Sequence, residues 1–127
     1  MLDVFSSSFL VFAYLATAFF HLAVALGAPL TAYVQGEYHN GQSPFFRRVV
    51  SAGLFLAFIA IAGHYVAQLG LLNPILNAAG NAVVNWVLVG IATTQALIAL
   101  MAQNPKQKRL WASPTVTMVL AAIIVAV

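Results

Sequence analysis

The chain contains no cysteine. That excludes disulfides, thiolate metal sites and cysteine nucleophiles together. Charge is almost as scarce: 6% of the 127 residues are Asp, Glu, Lys or Arg, against about 25% in an ordinary soluble domain. Only two carboxylates, Asp3 and Glu37, stand against five basic residues. Paired carboxylates for acid–base catalysis are therefore missing, and five basic residues are too few for a nucleic-acid surface. Nucleophile elbows and phosphate-binding loops are missing as well.

What remains is apolar. Hydrophobic residues make up 63% of the chain, and the mean hydropathy is +0.98. So little polar surface cannot cover a water-facing globule, and the matching solvent is lipid. A spanning helix takes about 20 mostly apolar residues. The sequence has room for four, over about residues 4–26, 49–69, 82–102 and 110–127. The expected fold is all-α: an antiparallel four-helix transmembrane bundle, a single membrane domain. Asp3 stands where a cleaved signal peptide carries Lys or Arg, so the first span is read as retained.

The basic residues orient it. Arg47 and Arg48 lie in the first connection, and Lys106, Lys108 and Arg109 in the third. The positive-inside rule then makes loops 30–48 and 103–109 cytoplasmic and places both termini outside. Trp86 and Trp111, near the ends of spans 3 and 4, fit an aromatic belt. Gly36, Asn40-Gly41 and Pro44 predict a small hairpin or cap in the first connection. The second connection, 71–81, has no charge and is expected in the headgroup region. Small residues recur at four-residue spacing: Ala23 with Gly27, Gly53 with Ala57, Gly63 with Ala67, Gly90 with Thr94. Small residues let helices approach closely in lipid, so this spacing predicts a tight bundle.

No charged residue falls inside an expected span, which argues against a proton- or sodium-coupled transporter. The polar residues at membrane depth are neutral. Tyr14, Thr17 and His21 share a helix face at i, i+3, i+7; His64 and Gln68 share one at i, i+4; Asn77, Asn81 and Asn85 repeat that spacing. Counting depth from the helix ends gives two clusters of candidate ligand-binding or pore-lining residues. The inner one is Tyr14, Thr17, His21, Thr94, Gln95 and Thr117; the outer one is His64, Gln68, Asn81 and Asn85.

Two histidines on neighbouring helices raise the question of a bis-histidine haem b. Their offset along the membrane normal is about 14 Å, from roughly nine residues at 1.5 Å each. One ring cannot span that, so only a haem shared across a homodimer fits, and no cofactor is assigned. Glu37 and His39 in GEYHNG offer two ligands at i, i+2 with no others nearby, which does not make a metal site.

The succession FHLAVALGAP, a glycine-containing loop, an Arg-led second span, and NPKQKRLWASP before a last apolar span resembles small uncharacterised four-helix bacterial integral membrane proteins. The resemblance covers most of the chain. It implies the architecture and a bacterial plasma membrane, and it carries over no catalytic or binding residue.

Three classes of function fit. The first is a non-catalytic membrane module that works by helix packing, as a homo-oligomer or a subunit of a larger complex. The second is a small channel or carrier for a neutral or apolar solute, with His21 and His64 as inner and outer gates. The third is a membrane-embedded lipid- or quinone-binding protein, or an enzyme, using His21. The expected partners are the bilayer and other membrane helices.

Overall fold

The structure is a computed structural model and describes residues 1–28, 44–73, 75–102 and 105–127. Among these residues the regular secondary structure is all helical: α1 (Leu2–Ala25), α2 (Pro44–Gln68), α3 (Ala78–Leu100) and α4 (Pro105–Ala126). All four are long and apolar enough to cross a membrane, with peak mean hydropathies of 1.9, 2.0, 1.8 and 1.6 in chain order. A multi-pass membrane protein has this composition. Large apolar side chains such as Phe5, Phe12, Leu56 and Leu120 are more than half exposed, as lipid-facing residues are.

Three helices start earlier than hydropathy predicts. α2 begins at Pro44 rather than near Val49, α3 at Ala78 rather than Ala82, and α4 at Pro105 rather than Leu110. Proline suits the first helical position, because its missing N–H has no partner there anyway. The basic residues therefore sit in the first five positions of α2 and α4 instead of in loops. α4 is 22 residues long, about 33 Å at 1.5 Å per residue, so it is not the marginal span its apolar stretch suggests. At α3 the Asn77 side chain accepts a 2.8 Å hydrogen bond from the Gly80 N–H and caps the helix.

The ends of α1 and α2 share one device. Gly27 (φ 99°) and Gly70 (φ 80°) adopt the left-handed conformation. Behind each, two backbone bonds close the helix: Gly27 N–H to Val24 and Ala28 N–H to Ala23, then Gly70 N–H to Ala67 and Leu71 N–H to Val66. These are Schellman caps, which glycine alone enters without steric cost. The connection 30–43, with its expected hairpin and the Glu37–His39 pair, lies outside the described residues.

α1 packs against α2 and α4, and α3 packs against α4. Buried positions on α1 include Ser7, Leu10, Tyr14, Thr17, His21 and Val24, spaced alternately three and four apart. On α3 they include Asn85, Leu88, Ala92, Gln95 and Ala99, with the same alternation. A stripe of that period keeps one face toward its neighbours along the whole helix. Half of the buried set of α3 is alanine (Ala92, Ala96, Ala99), and α4 adds Ala121 and Ala122. Such faces allow close backbone approach. The glycines do not take that part. A Cβ built at Gly53, Gly63 or Gly90 would meet nothing within 4 Å, so these positions leave open surface on α2 and α3 instead of tightening the chain's own bundle.

Candidate functional site

Between α1 and α2 the packing is aromatic. Tyr65 stacks on Tyr14 (ring centroids 6.0 Å apart, planes at 10°), Tyr14 on Phe58 (5.8 Å, 24°), and Phe58 on His21 (5.6 Å, 18°). The four rings form a column contributed alternately by the two helices. The spacing explains it: Tyr14 and His21 are seven residues apart, as are Phe58 and Tyr65, so each pair returns to the same face after two turns. Phe20 sets its ring edge-on to both His21 (5.4 Å) and Trp111 (5.2 Å), tying the column to α4. Trp111 is thus buried in the protein and is not the lipid-facing belt residue its position suggests.

The column carries polar atoms without partners. Tyr14 Oη, Tyr65 Oη and His21 Nδ1 are buried and make no hydrogen bond; Gln95 Oε1 on α3 is in the same condition. An unmet donor or acceptor in a low-dielectric interior costs about 1 to 3 kcal/mol. These four atoms lie inside the helix packing with their hydrogen-bonding capacity unmet.

The inner cluster divides. Tyr14, Thr17, His21 and Gln95 are buried, as their shared faces imply. Thr17 turns its hydroxyl to the Ala13 carbonyl on its own helix (2.8 Å). Thr94 and Thr117 are exposed, with hydroxyls donating to Gly90 (2.9 Å) and Ser113 (3.0 Å) four residues back. This local bond lets a threonine face lipid, and Thr117 borders an open groove with Phe5, Phe9 and Ala121. Thr115 takes the buried place on α4, donating to the Trp111 carbonyl at 2.6 Å. Tyr65, Ser51 and Gln107 are further buried polar residues that counting depth did not select. The seven-residue spacing of Tyr65 from Phe58 is the signal that finds it.

The outer cluster is tied together at one point and divided at another. His64 Nε2 lies 2.7 Å from Asn85 Oδ1, joining α2 to α3. An amide oxygen only accepts, so Nε2–H donates and Nδ1 is left as the acceptor nitrogen. Asn85 is buried and His64 half-buried. Asn81 donates weakly to the Leu76 carbonyl (3.4 Å). The three asparagines at four-residue spacing thus do three different things: cap, turn bond and helix–helix bond. Gln68 lies elsewhere, lining a cavity of about 90 Å³ with Asp3 and Ser7. Replacing Asn85 with leucine leaves the His64 N–H without its partner. Asn85→Leu is expected to lower stability by about 1 kcal/mol, the usual size of an interhelical hydrogen bond in lipid. Reversible unfolding in mixed micelles measures it, and an unchanged midpoint would mean the pair contributes nothing.

Beside this pair lies a groove of about 440 Å³. Ala60, Gly63 and Ala67 of α2 form its floor, Leu72, Ile75 and Leu76 of the following connection one wall, and His64, Asn73 and Asn81 its polar points. None of the residues lining it is charged. His64 edges onto Tyr65 (5.3 Å, planes at 72°), so the groove meets one end of the aromatic column while His21 closes the other. Among the described residues no group of three or more His, Cys, Asp or Glu is placed to hold a metal ion. The chemistry on offer is neutral hydrogen bonding and apolar contact. Compared with protein-family models, with curated proteins and with solved structures, the chain matches none.

Proposed function

We propose that this chain is a non-catalytic module of a bacterial plasma membrane, an antiparallel four-helix bundle with both termini outside. It works by helix packing, as a homo-oligomer or as a subunit of a larger membrane complex. Three observations support the topology. Arg48 Nε donates to the Ala25 carbonyl at 2.7 Å, joining the end of α1 to the start of α2. The ring order Tyr65, Tyr14, Phe58, His21 fits two helices that run in opposite senses along the column. All five basic residues fall in the first five positions of α2 and α4, which the positive-inside rule sets in the cytoplasm.

One observation carries the packing role. Gly53 and Ala57, four residues apart on α2, are exposed, and a Cβ at Gly53 would meet nothing. A flat small-residue face that the chain's own helices leave uncovered is the kind of surface on which membrane helices associate. Gly53→Leu raises a side chain there without touching the core. It is expected to convert the assembled protein to monomer, a shift of at least tenfold in association, while its unfolding midpoint stays that of the wild type. Native mass spectrometry from nanodiscs reads both species. A wild-type chain that is monomeric and alone would overturn the role.

A further inference from the structure

We propose that the groove beside the His64–Asn85 pair binds an uncharged amphiphile whose hydroxyl donates a hydrogen bond to His64 Nδ1. With Asn85 Oδ1 as the acceptor, His64 Nε2 carries the donated proton, and in the neutral ring Nδ1 is then an acceptor. Nδ1 makes no hydrogen bond among the described residues, and His64 lines the groove. The acceptor therefore selects a donor, which separates an alcohol or phenol from its ether, ester or carbonyl counterpart.

The rest of the groove defines the other end of the ligand. Its volume, about 440 Å³, falls in the usual range for a small-molecule site. Ala60, Gly63 and Ala67 make a flat apolar floor, and the space above Gly63 is open. An alkyl or isoprenoid chain fits such a floor. His64 lies four residues before the end of α2, about 6 Å along the axis. The apolar residues Leu72, Ile75 and Leu76 border that end. This is the level at which an amphiphile passes from polar head to hydrocarbon. Asn73 and Asn81 add neutral hydrogen-bonding groups to the lining. With no charge in the lining, a phosphate or carboxylate head has no counter-ion there, whereas a hydroxyl head needs none.

The site lies within one chain and goes beyond the packing role. The monomeric Gly53→Leu variant is expected to keep it, so the two proposals fail separately. The test loads nanodiscs containing the full chain with equal amounts of 4-octylphenol and 4-octylanisole, in which a methyl group replaces the donor hydrogen. Probe retained on the released protein is read by native mass spectrometry. The phenol is expected to be retained at least tenfold over the ether. The preference should fall to near unity in His64→Phe, and both probes should be lost in Gly63→Leu, whose side chain enters open space and fills the groove. Equal retention of phenol and ether by the wild type would show ordinary lipid-like packing and overturn the proposal. So would a preference that survives in His64→Phe, or binding unchanged in Gly63→Leu. If His64→Phe does not fold, the wild-type ratio and Gly63→Leu decide.

Discussion

Phe58→Ala is expected to destabilise the protein by about 3 kcal/mol, more than a hundredfold in the folding equilibrium. Phe58 is 7% exposed and lies between Tyr14 and His21, stacked on both. Truncating it removes the third of four rings and leaves a void where α1 and α2 meet. In a soluble core the same change costs about 3 to 5 kcal/mol, part of it from transfer out of water. Lipid is as apolar as the phenyl ring, so that part falls away and packing remains. This places the expected loss at the low end of the range. Phe12, 73% exposed on α1, is the control. Phe12→Ala touches no interior contact and is expected to change stability by less than about 0.5 kcal/mol. Reversible unfolding of both variants in mixed micelles separates the cases. Equal effects would mean that the column is not a structural core.

The second large effect has the opposite sign. Tyr14→Phe is expected to stabilise the protein by about 1 kcal/mol or more, and Tyr65→Phe likewise. Both hydroxyls are buried without a hydrogen-bond partner, and both rings are held by stacking that phenylalanine reproduces. Each substitution deletes a desolvated polar group and keeps the shape. The rings are neighbours, so the double variant need not be additive, and a double-mutant cycle gives the coupling. Loss of stability in Tyr14→Phe would mean that the hydroxyl is satisfied in the membrane-embedded protein. The function would then move toward an interior path for a polar solute, with His21 Nδ1 and Gln95 Oε1 as its next stations.

These two substitutions also mark what sequence can and cannot tell. The helices were legible because lipid imposes length and hydropathy on any span. Their starts were not, because Pro44, Pro105 and the Asn77 cap set them, and charged side chains in a first turn can reach past the lipid edge. Depth comes from counting residues; in the structure His21 ends the column on one side, and His64 adjoins Tyr65 at the other. Facing was harder. Thr94 and Gln95 are neighbours in sequence and so lie about 100° apart around the helix. Gln95 is buried and Thr94 exposed. Thr115 and Thr117 differ by about 200°, and the buried one is Thr115. A uniformly apolar helix gives no contrast by which to choose between such pairs. Trp111 and Tyr65 were missed for a related reason: an aromatic residue near a helix end suits the membrane interface and the core equally. The small-residue spacing was visible, but whether glycine faces a neighbour or open lipid is decided by the other helices.

The orientation of the four crossings underlies the lipid-facing surface, the basic helix starts and the level assigned to the groove. The absence of native cysteine allows a direct measurement. Single cysteines at Val127 and Ala102, neither of which alters a charge, are labelled with a membrane-impermeant maleimide in intact and in permeabilised bacterial spheroplasts. The account predicts that Val127→Cys reacts in intact spheroplasts and Ala102→Cys only after permeabilisation. Labelling of Ala102→Cys from outside, or of both positions from the same side, would contradict it.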